Sequence, residues 1–597
     1  MLKVMVKTEM SARSNSKRPA ARARRERRGN CGLKDSVHDW RIQVLLIMVL
    51  VIAVRLYFYT GPVFGNTFDE LFYLNIISSC AQNGVCPNFS MYQNANFSDY
   101  SMGIFNPAVM FSFYGGLIYP EIFLNEIAGF SVEGSIFYVI AMSAVEAAFL
   151  YLIIREISNE RAALIGAAIF AFFPLNIIFS DQVQPFVPAM AMLTAGVYFW
   201  LRSDIGLAGT VRRHVHSATV FRGKHNRLYL LLTGFFIGLG YITNPIVSSM
   251  MIFLVLLYAY RLIARKFSFA KDGMGLSLII LGFLLAFSIT GIYYLATSGN
   301  FFLYPDVERA SVINIATTSG IYPTYIRLFG NVLLEFDSGS PITYIGMLFN
   351  VFSGQKVEYA YFNLISFSIL GYLLPVFIAV LAFAKKFRYR SFFVAMLLFD
   401  LLVLFFFPDG WISLGGSFRL LMISDRLMYA TLLVLPVTVI SALGIERILE
   451  SGKKYAKIAG AAALVAIVIV SLYQQSYDSS FYRSSVYSLN MFDRFAAMHP
   501  NATYYTSTYF ANEANLLTDY RYNITALYNC SSANIASIES GRNAYLVVGG
   551  SLGLSLSPTY TTSFESCVLD NMTSGYRVVF TAKDPYAPYE RLMVIKQ

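Results

Sequence analysis

The sequence predicts a polytopic α-helical membrane protein with a small C-terminal α/β domain, and three observations carry that prediction. Of 597 residues, 56% are hydrophobic and only 14% charged, against about 25% charged in soluble domains. Mean hydropathy is +0.54. Apolar runs long enough to cross about 30 Å of hydrocarbon recur down the chain. The charge is segregated: ten basic residues between Lys3 and Arg28 precede the first apolar run. This composition excludes a soluble multidomain protein, a mainly disordered chain and a disulfide scaffold. The formal charge of +11 is read as retention of a disordered tail, residues 1–40, on the cytoplasmic side, with contact to anionic lipid second. A nucleic-acid partner ranks third, and none is expected.

The spans are expected at 42–60, 134–155, 161–180, 185–201, 228–243, 246–262, 274–296, 361–384, 391–407, 427–446 and 458–474, within a membrane domain covering 41–475. Eleven is odd, so the termini lie on opposite sides: the N-terminus in the cytoplasm, the C-terminus outside a multi-pass cell-membrane protein. Basic clusters mark the inner loops at Arg155 and Arg161, Arg212 to Arg227, Arg261 to Lys271, Lys385 to Arg390, and Arg447 to Lys457, whereas 61–104 has no Lys or Arg. N-x-S/T triplets begin at Asn88, Asn96, Asn501, Asn523, Asn529 and Asn571, all in segments this arrangement puts outside. Composition alone also produces such triplets in polar stretches. Cys80 and Cys86 share the first outer loop, and Cys530 and Cys567 the tail. Two local disulfides in an oxidising compartment follow, with Cys31 alone inside.

The outer segments are expected at 61–133, with short amphipathic or re-entrant pieces including 105–120, at 297–360 and at 408–426. Residues 476–597 read as the α/β domain. A helix near 488–498 precedes strands near 502–508, 544–550, 576–580 and 591–596. Inside the spans, Gly234 and Gly238 form G-x-x-x-G, which signals close helix packing.

Chemistry concentrates after span 1. Arg55-Leu56 near its end is followed by Asp69-Glu70 and then Tyr73. Alone, such a pair is more often a favourable helix N-terminus than a site. In this order the segment resembles the GT-C superfamily of integral-membrane glycosyltransferases: protein mannosyltransferases, lipid A aminoarabinose transferases and Rgt-like sugar transferases. The segment 158–180 with its late Pro174, Gly234 to Pro245, and Asp425 to Ile448 resemble further family spans. The family's His-Pro-Pro-Leu is replaced here by Asn106-Pro107-Ala108-Val109. The acid common after the third span is out of register, with Asp181 nearby.

The resemblance implies transfer of a sugar from a polyprenyl-phosphate donor, dolichyl-phosphate mannose being one kind, to an acceptor hydroxyl of a protein, lipid or glycan on the outer face. It implies Asp69 as general base, with Glu70 as orienting partner or substitute; Tyr73 and Asn106 are candidate substrate-binding residues, though the role of the family's His does not carry over to Asn106. The sequence agrees in having no G-x-G-x-x-G or Walker loop for a nucleotide sugar. Arg327, Arg419 and Arg426 are candidate phosphate clamps, since guanidinium binds phosphate bidentately. Arg309 reads rather as an interfacial snorkelling residue. Asp69, Glu70, Asp99 and Asp181 can supply oxygen ligands to a divalent metal, which the sequence neither requires nor excludes. The adjacent tryptophans of oligosaccharyltransferase catalytic subunits are missing, as Trp40, Trp200 and Trp411 stand apart. Glu146 and Asp400, each inside an apolar span, are costly there. They support a rival reading as a transporter or lipid flippase. A surface receptor, the third reading, leaves the spans unexplained.

Overall fold

The computed structural model describes residues 39–59, 68–83, 115–203, 226–264, 272–302, 379, 389–406, 408–414, 417–422, 431–451, 453–518, 521–527, 543–549, 577–583 and 591–596. Helix α1 (Trp40–Phe58) starts where the Asp39 carboxylate accepts the Arg41 N–H at 3.0 Å. Helices α2 (Phe68–Asn83) and α3 (Gly115–Ala128) follow within the first expected outer segment. Helix α4 (Val132–Ile157) is capped by Ser131, whose hydroxyl accepts from the Gly134 N–H at 2.9 Å. It has Glu133 in its first turn and Arg155 in its last, both favourable to the helix dipole.

The expected span 161–180 is two helices: α5 (Glu160–Ala171) and α6 (Pro174–Ser180). Pro174 offers no N–H, its ring clashes with a preceding carbonyl, and it disfavours helical geometry at Phe173. The helix therefore stops at Ala171 and restarts on the proline. Then come α7 (Phe186–Arg202), α8 (Asn226–Thr243), a 3₁₀ turn at Pro245–Val247 capped by Asn244, α9 (Ser248–Ile263), α10 (Met274–Ser298) and α11 (Arg390–Phe406). Residues 408–426, expected as a short loop, contain an antiparallel pair, β1 (Pro408–Leu414) and β2 (Ser417–Met422). Helix α12 (Val434–Glu450) follows.

Among the described residues, five helical segments are long and apolar enough to cross a membrane by length and composition: Trp40–Phe58, Val132–Ile157, Pro245–Ile263, Met274–Ala296 and Thr431–Glu450. The chain is thus a multi-pass membrane protein. The expected span 361–384 lies, apart from Ala379, outside the described residues. Helix α4 is the hub, packed by α1, α5, α7 and α12. Helices α8 and α10 meet backbone to backbone: a Cβ on Gly234 would lie 1.8 Å from the Ile279 carbonyl oxygen, and one on Gly282 2.1 Å from that of Leu231. The glycine spacing read from the sequence marks this seam.

Helix α13 (Lys454–Met498) is 45 residues long. It unites what the sequence suggested were a span at 458–474 and a separate helix near 488–498. No Gly or Pro lies between Ala461 and Met498, so nothing interrupts the backbone once the apolar pattern fades. Pro500 then ends it, by restricting His499. Beyond it, β3 (Thr503–Ser507), α14 (Thr508–Leu517), β4 (Asn523–Leu527), β5 (Ala544–Gly549), β6 (Arg577–Lys583) and β7 (Arg591–Lys596) build a mixed sheet of order β4-β3-β5-β7-β6. β3 runs parallel to β4 and β5, while β7 is antiparallel to β5 and β6.

Candidate active site

Asp69 and Glu70 fall in the first turn of α2, where the N-terminal end of the helix dipole favours negative charge. Glu70 and, one turn later, Tyr73 are buried, and α2 packs against α3. Cys80, near the end of α2, is disulfide-bonded. Its expected partner Cys86 lies outside the described residues.

A second group of charges gathers around Arg55, which is completely buried near the end of α1. Its Nη1 donates to the Ala171 carbonyl at 2.5 Å and Nη2 to that of Phe170 at 3.4 Å. The guanidinium also lies over the Phe170 ring, 5.9 Å from its centroid. These carbonyls belong to the last turn of α5, where intrahelical donors run out. Arg55 therefore caps the break that Pro174 imposes, on the end of the dipole that attracts a cation. Glu146 of α4 and Asp181, just past α6, are both within electrostatic reach of the same guanidinium. Glu146 Oε2 accepts from Asn176 Nδ2 at 3.4 Å. The fold thus sets Glu146, one of the two acids inside apolar spans, within electrostatic reach of Arg55. Asp181 is buried, and its Oδ1 has no hydrogen-bond partner among the described residues. Burial holds its carboxyl well above the ordinary range, with Arg55 opposing that rise.

Arg419 lies on β2 in register with Ile412. Asn106, Arg309, Arg327, Arg426, Asp99, Cys530 and Cys567 lie outside the described residues. Among the described residues no three His, Cys, Asp or Glu side chains converge as metal ligands. Asp400 is buried in α11.

Two polar residues escaped the sequence reading. Asn176 is the single polar side chain between Pro174 and Phe179, and its only signal was that isolation. Glu121 is fully buried on α3, and burial keeps its carboxyl well above the ordinary range. The neighbouring Asn125 Nδ2 donates to the Glu121 carbonyl at 2.7 Å and lies 3.3 Å from Ser135 Oγ.

Residues 121–204, from α3 to the end of α7, match the family described as dolichyl-phosphate-mannose-protein mannosyltransferase. Over its length the structure superposes on the apo crystal structure of ArnT from Cupriavidus metallidurans, with a TM-score of 0.50 at 11% identity, covering 94% of this chain and 98% of that one. The chain carries the fold of ArnT. ArnT bound to undecaprenyl phosphate gives a TM-score of 0.48 at 10% identity over the same shares. The archaeal oligosaccharyltransferase AglB from Archaeoglobus fulgidus, in complex with an inhibitory peptide and a dolichol-phosphate, gives 0.45 at 12% identity, over 85% of this chain and 69% of that one. No curated protein sequence matches the chain. The likeness to apo ArnT extends the resemblance to the GT-C membrane glycosyltransferases to the fold.

Proposed function

We propose that this protein is a membrane glycosyltransferase that moves a sugar from a polyprenyl-phosphate donor to a hydroxyl of a protein, lipid or glycan at the outer face. The observation that carries the reading is the Asp69-Glu70 pair at the head of α2, in a chain whose fold matches ArnT over 94% of its length. Fold alone does not define a reaction; the Asp69-Glu70 pair in the first turn of α2 supports this one. The matched mannosyltransferase family supports a lipid-phosphate donor by its description.

In this reading Asp69 takes the acceptor hydroxyl proton as that oxygen bonds to the anomeric carbon. The bond from that carbon to the phosphate oxygen breaks, and polyprenyl phosphate leaves with the electron pair. Arg327, Arg419 and Arg426 are assigned to the departing phosphate, where guanidinium offers two parallel donors. Glu70 orients Asp69, and Tyr73 and Asn106 border the sugar. With purified protein, a dolichyl-phosphate sugar is expected to serve as donor while the corresponding nucleotide sugar does not. Equal use of the nucleotide sugar would overturn the donor assignment.

The proposed sidedness puts the C-terminal sheet outside and the N-terminus in the cytoplasm. Asn501 stands exposed at the turn before β3. Asn501→Cys is expected to react with a membrane-impermeant maleimide on intact cells; labelling that requires lysis would reverse the topology.

A further inference from the structure

The C-terminal sheet is joined to the membrane helices by a rod rather than a linker. Helix α13 packs on α1, α5, α6 and α12 in its first part and on β6, β7 and α14 in its last. At 1.5 Å per residue its 45 residues span about 68 Å, more than twice the hydrocarbon thickness. Its final turns are the core of the C-terminal unit. Phe492 meets Tyr504 at 5.1 Å and Phe510 at 5.6 Å, and Phe495 meets Tyr545 at 5.3 Å and Phe580 at 5.2 Å. On its surface Asp493 accepts from Tyr522 Oη at 3.2 Å. A sheet packed around the rod's own side chains cannot swivel about it.

The other end of this unit reaches α2. Helix α14 packs against α2, the helix whose first turn holds Asp69 and Glu70. Buried Tyr73, Leu74, Ile76 and Ile77 of α2 share one contiguous apolar cluster with Phe510, Ala514 and Leu516 of α14 and with Phe492 of α13. The same rod that lies along α5 and α6, beside the break capped by Arg55, thus carries α14 onto the carboxylate-bearing helix.

We propose that the C-terminal unit is a fixed brace that sets the position of α2, making α13 and α14 positioning elements of the reaction rather than a mobile cover over it. The catalytic half of this inference rests on the transferase reading; the docking half does not. Inserting one alanine after Ser480, ahead of the aromatic core, turns α14 by about 100° and lifts it by about 1.5 Å. The expected result is a fall in kcat of about 10²-fold, the scale for misplacing a reacting group by an ångström, with donor KM within about twofold. Amide hydrogen exchange of residues 68–83 should accelerate while 132–157 and 489–507 keep their protection. Replacing Ser479 and Ser480 by glycine should move both readouts the same way by less, and serves if the insertion also loosens 132–157. Unchanged exchange at 68–83 would overturn the docking. Faster exchange there with unchanged kcat would overturn the positioning role. If the wild type transfers no sugar, the transferase reading fails, while the exchange measurement still decides whether α14 holds α2.

Discussion

Asp69→Asn is expected to lower the rate of sugar transfer by about 10²–10⁴-fold, the usual contribution of a positioned general base, while donor binding stays near the wild-type level. Asparagine keeps the size and the polarity but cannot accept the acceptor's proton. Glu70 is the internal comparison. It is buried in the same turn of α2, and Glu70→Gln should reduce transfer less than Asp69→Asn if Glu70 orients. The reverse order, measured as kcat under saturating donor, would exchange the two roles. Full activity in Asp69→Asn would remove it from the mechanism.

The second large effect concerns stability. Arg55→Met should lower the unfolding free energy in detergent by about 3–5 kcal/mol, the scale for removing one partner of a buried charge group. Two losses combine. The Ala171 carbonyl at the end of α5 loses its guanidinium donor, the Phe170 carbonyl keeps only the Phe173 N–H, and Glu146 and Asp181 lose the cation within electrostatic reach of both. Arg55→Lys should be milder, because the charge survives while the forked geometry does not. Adding Glu146→Gln to Arg55→Met should recover part of the loss by removing an uncompensated carboxylate. Thermal unfolding monitored by circular dichroism reads all of these variants. An Arg55→Met protein as stable as the wild type would mean that the break at Pro174 is held by something else.

Much of this arrangement was legible in the sequence, for reasons that differ by element. The five spans that are long and apolar enough among the described residues were readable because the hydrocarbon requires a long apolar run, whatever the neighbours do. Gly234 and Gly238 announced the α8–α10 seam because glycine alone allows two backbones to come so close. The strands at β3, β5, β6 and β7 showed as β-branched and aromatic runs. β4 did not, since Asn523 to Leu527 is short and its alternation is weak. The continuity of α13 was hidden for a related reason. Residues 475–487 are rich in Ser and Tyr and hold a single aliphatic side chain, Val486, so no apolar run reported that the helix continues there. At the site, the charges were visible one by one, but their grouping was not. Asp181 joins Arg55 only because Pro174 breaks the third span and α6 redirects the chain. Local sequence could suggest a weakened helix there, not what would cap it. The contact of α2 with α14, more than 400 residues later in the chain, is a product of the tertiary fold.

The proposed activity is transfer of sugar rather than carriage of lipid across the bilayer. The most direct measurement reconstitutes the purified protein in vesicles with dolichyl-phosphate mannose labelled in the sugar, together with a hydroxyl-bearing acceptor peptide. Both the label on the peptide and the leaflet occupied by the labelled lipid are then followed. The account predicts label on the peptide, lost in Asp69→Asn and retained in Asp400→Asn. Movement of intact labelled lipid between leaflets, with no label on the peptide and with dependence on Glu146 and Asp400 instead of Asp69, would contradict it.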